Sequence, residues 1–266
     1  MQRRIIDMHQ HIQNAAETDP MAEAYADLGV VKAVLLGLPP NREPGNNDLV
    51  LDAWRRHPDL YVPFFGYDMD GMTPDELNRA RDEGFVGIKF IGPRRPYNDF
   101  CYFPAYERAT ELGMVALFHL GIVANQGAWR DCDSNLMRPI YLDHIARTHP
   151  DLKIVGAHLG NPWYEEATMS SRWNPNLFFD LSGSTLKNKT PEFLGSLLWW
   201  TPSTAYRSPD RTWAWEKIVF GSDVHYSQIR DVVHDYEVLL KQAEVSDGLR
   251  EAVWCGTAAR ILDIRL

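Results

Sequence analysis

The sequence predicts an α/β fold, a closed (β/α)8 barrel of the TIM type, and three observations indicate it. The chain has 266 residues, and such a barrel typically takes about 250. Apolar residues make up 45% of the chain and charged residues 24%, which is enough to bury a large core. Eight apolar runs are mostly continuous, as in parallel strands buried on both faces, and most are separated by segments long enough for a crossover helix. In chain order they are RRIIDM, VVKAVLLG, LYVPFFG, VGIKF, MVALFH, KIVGAH, NLFFDLS and KIVFGS.

Junctions between helix-like segments and these runs recur in two forms. In the first form a Gly precedes the apolar run, as is typical of a loop joining a helix to a strand. Examples are ADLGVVKAVLL from Ala26, DEGFVGIKF from Asp82 and ELGMVALFHL from Glu111. In the second form His-Pro ends a helix and a strand follows, in RRHPDLYVPFFG from Arg55 and RTHPDLKIVGAH from Arg147.

An open, doubly wound sheet gives the same local signals and is the alternative to the barrel. We predict one domain, residues 1–266, because no low-complexity linker divides the chain. The segment WWTPSTAYRSPDRTWAW, residues 199–215, is rich in aromatics and prolines and precedes the last strand. We expect it on the far side of the barrel from the chemistry, as packing or as a subunit contact, so a homo-oligomer is one expectation for the assembly.

Charge and cysteine content exclude several classes of protein. The net charge is -9 and no block of Lys or Arg is concentrated, so neither nucleic acid nor an anionic membrane is an expected partner. The three cysteines are far apart and show no CxxC, which indicates neither a disulfide framework nor a thiolate metal cluster. With no signal peptide or transmembrane span visible, we expect a cytoplasmic protein that acts on a small molecule.

Metal-competent side chains stand at the carboxyl ends of four predicted strands. His9 and His11 of IDMHQHI end the first strand, and residues i and i+2 of a strand point the same way. His119 ends the fifth strand, His158 the sixth, and Asp223 follows the eighth. A barrel places its active site at these strand ends. The histidine pair alone leaves ligand and coincidence equally open, but its repetition at later strand ends favours a metal site.

These residues and their neighbours resemble the amidohydrolase superfamily, and within it the amidohydrolase-related (amidohydrolase 2) family, which includes aminocarboxymuconate-semialdehyde decarboxylase and many uncharacterised hydrolases. The motifs that carry the resemblance are, in order, IDMHQH, GFVGIKF, LFHLG, PDLKIVGAHLGNPW, NLFFDLSG, IVFGSD and GTAARIL. The resemblance implies one divalent metal, most often zinc with manganese as the alternative, held by His9, His11, His119 and Asp223. It also implies that Asp223 accepts a proton from water, while His158 stabilises the hydroxide or polarises the substrate.

Lys89 in GIKF leaves the number of metal ions open. In the two-metal branch of the superfamily, a lysine at the end of the fourth strand is carboxylated and bridges the ions, so a second metal is not excluded. We prefer a positive charge lining the pocket, because the resemblance is to a branch usually described with one metal. The closing segment CGTAARIL departs from the family pattern, since Thr257 stands where an Asn often precedes the Ala-Arg pair.

The loops that follow the strands are expected to select the substrate. Arg forks bind carboxylates and aromatic rings supply apolar walls, so a small aromatic or unsaturated acid is our hypothesis, with a solvated loop as the alternative for each residue. The candidates are Arg94, Arg95 and Tyr97 after the fourth strand, Trp129 and Arg130 after the fifth, and Trp163 after the sixth.

Three functions are compatible with this sequence. Hydrolysis of an ester, lactone or amide by a metal-activated water is our first hypothesis, because AHLGNPW is more similar to the hydrolases of the family. The alternative is non-oxidative decarboxylation of an aromatic or unsaturated carboxylic acid, since the decarboxylases share every proposed ligand. A metal-free lactonase or a non-catalytic binding protein ranks last, because all four expected ligands are present.

Overall fold

The computed structural model describes residues 3–125, 127–204 and 212–265. Within these ranges, eight parallel strands form one sheet in chain order. They are Ile5–Gln10 (β1), Val30–Leu36 (β2), Tyr61–Tyr67 (β3), Gly87–Phe90 (β4), Val115–Phe118 (β5), Ile154–Gly156 (β6), Leu177–Asp180 (β7) and Ile218–Val219 (β8). Residues 205–211 of the predicted aromatic segment lie outside the described part of the chain.

Helices connect the strands and cover the outside of the sheet. They are Thr18–Leu28 (α1), Asn46–Arg56 (α2), Asp75–Glu83 (α3), Phe103–Glu111 (α4), Ile140–Thr148 (α5), Tyr164–Trp173 (α6), Ser184–Asn188 (α7), Pro191–Leu197 (α8), Ile229–Gln242 (α9), Asp247–Glu251 (α10) and Thr257–Leu262 (α11). None of the helices in the described ranges combines the length and the hydrophobicity that crossing a membrane requires.

The sheet closes on itself between its first and last strands. The backbone N–H of Met8 donates to the carbonyl of Phe220 at 2.9 Å, and that of Asp223 donates to the carbonyl of His9 at 2.7 Å. The predicted (β/α)8 barrel is therefore confirmed, and the open sheet is excluded, because in an open sheet the first and last strands of this order would be its two edges.

The helix ends follow the predicted punctuation. Gly29 and Gly84 cap α1 and α3 in the left-handed conformation, with φ of 76° and 115°, and Gly113 adopts φ 63° just after α4. His57 and His149 are the C-cap residues of α2 and α5, each followed by a Pro that ends the helix. These five helices thus stop where the sequence provides a glycine or a His-Pro pair.

Apolar side chains fill both faces of the sheet. Alternate strand residues, such as Val34 and Leu36, form a cluster inside the barrel that α11 covers through Ala258. The other strand residues pack outward against the helices, where the rings of Phe90 and Phe118 stack with centroids 4.7 Å apart. Burial on both faces explains why the runs read as continuous rather than alternating.

An irregularity in β1 directs His9 into the barrel mouth. Ile6 and Met8 lie in the interior cluster, so strict alternation would send His9 to the opposite face. However, Asp7 pairs with Ala33 of β2 and Gln10 pairs with Leu35, so β1 has one residue more than β2 between these two pairs. One extra residue of this kind is a β-bulge, which re-aims the side chains that follow it.

Lys217 ties the beginning of β8 to the turn that precedes β7. Its side chain is buried, and Nζ donates to the carbonyls of Asn174 at 2.8 Å, Pro175 at 2.8 Å and Leu177 at 3.2 Å. The ammonium also lies 4.5 Å from the ring centroid of Phe178. One cation therefore satisfies three carbonyls that the turn directs toward the interior.

We expect Lys217→Met to lower the free energy of unfolding by about 2–3 kcal/mol, because buried carbonyls lose a charged donor. Urea denaturation followed by circular dichroism measures the change. Lys241→Met, at an exposed position of α9, is the control and should change stability by less than about 0.5 kcal/mol. Equal effects of the two substitutions would contradict the assigned role.

Candidate metal centre

A cleft of about 680 Å³ lies at the carboxyl ends of the strands. Its floor collects the imidazoles and the carboxylate predicted from the sequence, together with the predicted lysine. These residues are His9, His11, Lys89, His119, His158 and Asp223. The fold thus brings together residues from β1, β4, β5, β6 and β8 that are up to 214 positions apart in the chain, from His9 to Asp223.

The carboxylate of Asp223 lies among three imidazoles. Its Oδ1 is 3.7 Å from Nε2 of His9 and 3.8 Å from Nε2 of His11, and its Oδ2 is 3.7 Å from Nε2 of His158. These separations exceed hydrogen-bond length. Ligand atoms of His9, His11 and Asp223 all lie within 4.8 Å of one another, which is the spacing that a shared cation needs.

Hydrogen bonds at Nδ1 fix the position of the ring proton in His9, on β1, and in His11, just after it. Nδ1 of His9 is 2.8 Å from Oδ2 of Asp180, and Nδ1 of His11 is 3.1 Å from the carbonyl of Leu36. A carbonyl accepts and does not donate, and the same holds for an ionised carboxylate, so each Nδ1 carries the proton. In the neutral ring, Nε2 then presents its lone pair to the cleft, as a metal ligand requires.

His119 has a buried nitrogen without a partner. Its Nε2 makes no hydrogen bond within the described part of the chain, although buried polar atoms are nearly always paired. Its ring centroid lies 5.0 Å from that of His158. Its carbonyl accepts a hydrogen bond from the hydroxyl of Tyr97 at 3.0 Å, which also donates to the carbonyl of Phe90 at 3.2 Å. The unpaired nitrogen fits the donor of a metal ligand.

Burial disfavours the charged form of three of the cleft imidazoles. It lowers the pKa of His11 to about 3, although Asp223 acts in the opposite direction, and it holds the pKa of His119 well below its usual value. Burial also lowers the pKa of His158. Burial acts to raise the pKa of Asp223, but the positive charge that the neighbouring His9, His158, His11 and Lys89 carry when protonated lowers it below the usual range. Neutral imidazole and ionised carboxylate are the protonation states that bind metal.

The β6 turn that carries His158 is left-handed. His158 and Leu159 adopt φ of 59° and 47°, a conformation that costs a non-glycine residue roughly 1–2 kcal/mol. Two side chains from β7 and the beginning of α7 hold this turn, because Asp180 accepts from the backbone N–H of His158 at 2.9 Å and Thr185 donates to its carbonyl at 2.6 Å. These two hydrogen bonds offset the strain and hold the turn in the position from which His158 lines the cleft.

Asp180 is the residue of this site that the sequence reasoning missed. Besides His9 Nδ1, it accepts from the backbone N–H of His158 and from both the backbone and the hydroxyl of Ser182. His9, His158 and Asp180 could by distance hold an ion, but both carboxylate oxygens already accept protein donors. The signal was present, because Asp180 ends the apolar run LFFD as His119 ends that of β5.

Lys89 lies on the floor beside the proposed ligands. Its side chain is buried, and Nζ is 3.4 Å from Nε2 of His9. Burial lowers its pKa to about 8, although Asp223 and Asp180 act to raise it. The position is compatible with both sequence interpretations, a positive charge in the pocket and a lysine near a second ion.

The predicted substrate residues are spread over several environments. Trp129 lines the cleft, and the guanidinium carbon of Arg42 lies 5.4 Å from its ring centroid. Tyr97 is fully buried behind β4 and β5, where it positions His119. The others do not line the cleft: Arg94, Arg95 and Arg130 are exposed, and Trp163 packs against Arg138.

Loops after β1, β2 and β8, which the sequence reasoning left aside, supply much of the cleft wall. Apolar contacts come from Leu38, Val224 and Tyr226, and the charged wall residues are Glu17 and Glu43. The described walls therefore carry negative charge where arginines had been expected.

Imidazoles and a carboxylate gathered at the strand ends of a barrel are typical of metal-dependent barrel enzymes. The model of the amidohydrolase family matches residues 6–264, and the chain belongs to that family. No curated protein matches the sequence.

Solved structures of low sequence identity share the fold. The chain superposes on 5-carboxyvanillate decarboxylase from Sphingomonas paucimobilis with a TM-score of 0.68 and 15% identity, covering 98% of this chain and 99% of that one. A zinc-bound amidohydrolase from Burkholderia multivorans superposes with a TM-score of 0.70 and 14% identity, covering 98% of this chain and 99% of that one. A probable 2-pyrone-4,6-dicarboxylic acid hydrolase from Acinetobacter baumannii, with citric acid bound, superposes with a TM-score of 0.66 and 15% identity. The match covers 99% of this chain and 100% of that one.

Gly183 gives a test of the turn next to His158. It adopts φ 67°, ψ -141°, and an added Cβ would lie 3.1 Å from Nδ1 of His158. We expect Gly183→Ala to lower the free energy of unfolding by about 2 kcal/mol, because only glycine adopts this conformation without strain. Urea denaturation measures the loss.

The control for this prediction is Gly195→Ala in α8, where an added Cβ meets nothing within 4 Å. Alanine there should stabilise the protein by up to about 1 kcal/mol, because alanine has a higher helix propensity than glycine. A neutral or stabilising Gly183→Ala would contradict the strain argument.

Proposed function

We propose that this protein is a metal-dependent hydrolase that holds one divalent metal, most suitably zinc, through His9, His11, His119 and Asp223. The observation that carries the proposal is the arrangement of Nε2 atoms around the carboxylate of Asp223, at 3.7 Å for His9 and 3.8 Å for His11. His119 is not among the residues whose ligand atoms lie within 4.8 Å of one another, but it lines the same cleft and offers an unpaired buried Nε2.

The donor set suits zinc, which takes neutral imidazoles and carboxylates in a four-coordinate site. The zinc-bound relative from Burkholderia multivorans supports this choice, and manganese remains the alternative. Lys89 serves as a positive charge beside the ligands in this proposal, and its carboxylation would convert the site to the two-metal form.

Asp223 and His158 on the floor of the cleft have separate roles in activating water. When bound, the metal supplies Lewis acidity, which lowers the pKa of water toward about 7 and polarises a carbonyl group. Asp223, ionised and turned into the cleft, accepts a proton from the attacking water. Nε2 of His158, 3.7 Å from Asp223, presents a lone pair that orients the same water and takes part in moving the proton to the leaving group.

The walls favour an uncharged substrate. An acidic substrate was expected because Arg94, Arg95 and Arg130 followed strand ends, but these side chains do not line the cleft. Glu17 and Glu43 do line it, and like charge opposes entry of a carboxylate. Apolar walls from Leu38, Trp129 and Tyr226 therefore suit a small neutral ester, lactone or amide better than an acid.

Decarboxylation is the second candidate. The ammonium of Lys89 beside His9 provides a cation for a substrate carboxylate at the floor, 3.4 Å from the ligand nitrogen. The 5-carboxyvanillate decarboxylase of the same fold supports this reading. We rank it below hydrolysis because no second cation lines the described cleft.

We expect purified protein to contain close to one zinc ion per chain, and the variant with His9→Ala and His11→Ala to contain almost none. Plasma emission spectrometry measures the metal, and circular dichroism verifies that the variant is folded. His234→Ala, in α9 and away from the cleft, is the control and should keep the full metal content. Equal metal content in all three proteins would overturn the proposed ligands.

We expect hydrolysis of neutral lactones and aryl esters to be lost on chelation and restored by zinc, and Asp223→Asn to lower kcat by roughly 10²–10⁴-fold because the proton acceptor is removed. Product analysis in ¹⁸O-labelled water should find one labelled oxygen in each acid formed. Release of carbon dioxide from 2-hydroxybenzoates, without label incorporation, would replace hydrolysis by decarboxylation. Activity that survives chelation would favour a metal-free lactonase.

A further inference from the structure

We propose that Asp180 is a positioning residue that uses one carboxylate to fix the protons of two cleft histidines, His9 directly and His158 through Ser182. The inference rests on the proposed function, because it concerns how the ligand nitrogens of that site are kept unprotonated. Asp180 lies at the end of β7, between the strands that carry the two histidines.

The direct part of this arrangement is the hydrogen bond between Asp180 and His9. Oδ2 of Asp180 lies 2.8 Å from Nδ1 of His9, and the relative exposures of the two side chains are 0% and 1%. Water therefore does not compete for either group. An ionised carboxylate only accepts hydrogen bonds, so this contact holds the His9 proton on Nδ1 and leaves Nε2 free toward the cleft.

The indirect part of this arrangement runs through Ser182. Its hydroxyl donates to Oδ1 of Asp180 at 2.6 Å, so the hydroxyl proton is committed and the oxygen accepts elsewhere. Nδ1 of His158 lies 2.9 Å from that oxygen and 3.3 Å from the Ser182 carbonyl. Because both oxygens accept hydrogen bonds, they favour a proton on Nδ1 of His158. In the neutral ring its Nε2 is then unprotonated as well.

The chemistry requires a carboxylate at this position rather than an amide. Three donors meet at Oδ1, namely the backbone N–H groups of His158 and Ser182 and the Ser182 hydroxyl. An asparagine would satisfy them by placing its oxygen there, and its NH2 group would then face Nδ1 of His9. Ser182 Oγ, the other oxygen near Nδ1, is farther away at 3.4 Å, so Nδ1 would accept from this NH2 group. The proton would then move to Nε2 and the ligand lone pair would be lost.

The backbone after β8 packs closely against the pair. Gly221 of this segment passes so close that an added Cβ would lie 3.0 Å from the Cβ atoms of both Asp180 and His9. A side chain at position 221 would therefore crowd both residues, and glycine allows this close approach.

The experiment compares Asp180→Asn with Asp7→Asn. Asp7 is the matched control, because its carboxylate is equally buried and is also saturated by donors. It accepts from the backbone N–H groups of His9 and Ser222 and from the hydroxyls of Ser222 and Tyr25. It contacts no imidazole ring within the described residues. Both variants therefore lose a buried carboxylate, but only one of them loses the partner of His9 Nδ1.

Two measurements are made on each protein. Long-range ¹H–¹⁵N correlation spectra of the metal-free protein above pH 8 report which ring nitrogen of His9 carries the proton, and competition with a chromophoric chelator reports zinc affinity. We expect Nδ1–H in the unmodified protein and in Asp7→Asn, and Nε2–H in Asp180→Asn. Zinc affinity should fall by about 10–100-fold in Asp180→Asn and change little in Asp7→Asn.

An Nδ1 proton on His9 in Asp180→Asn, or an equal loss of zinc affinity in both variants, would overturn the proposal. If Asp180→Asn fails to fold, the spectrum of the unmodified protein decides, since Nε2–H there would also overturn it and Nδ1–H would support it. Failure of the unmodified protein to bind zinc would instead overturn the proposed function, and the tautomer measurement would remain separate from it.

Discussion

The hydrogen bond from the backbone of Asp223 to the carbonyl of His9, at 2.7 Å, joins the last strand end to the first. It belongs to the seam that closes the barrel, and it also sets two residues of the candidate site side by side. Because all strands run parallel, their carboxyl ends meet at one rim, so strand-end side chains that point inward are brought to the same cleft. The location of the site is therefore a consequence of the closure.

Much of this could be predicted from the sequence, since the signals are local. Continuous apolar runs marked the strands, and glycine or His-Pro marked the helix ends, because helix termination depends on nearby backbone chemistry. The pairing of His9 with His11 followed from the period of a strand. The structure adds that a bulge before Gln10 was needed to aim His9, which no two-residue pattern reveals.

What could not be predicted depends on contacts between distant segments. Asp180 has a histidine partner 171 positions away, and the sequence alone does not show that a carboxylate is saturated by donors. Loop direction was equally inaccessible: Tyr97 follows β4 as Arg94 does, yet one is buried behind the strands and the other is exposed. A loop residue is placed by what its neighbours pack against, not by the strand it follows.

The hydrogen bonds at Nδ1 of His9 and His11 also bear on the entropy of ion binding. Both rings are oriented by groups of the folded barrel, Asp180 and the Leu36 carbonyl. Their rotational freedom is therefore lost when the chain folds, and little remains to be lost when a cation arrives. In the proposed metal centre, affinity would then depend on the match between the cleft and the ion, because these two ligands would need no reorientation.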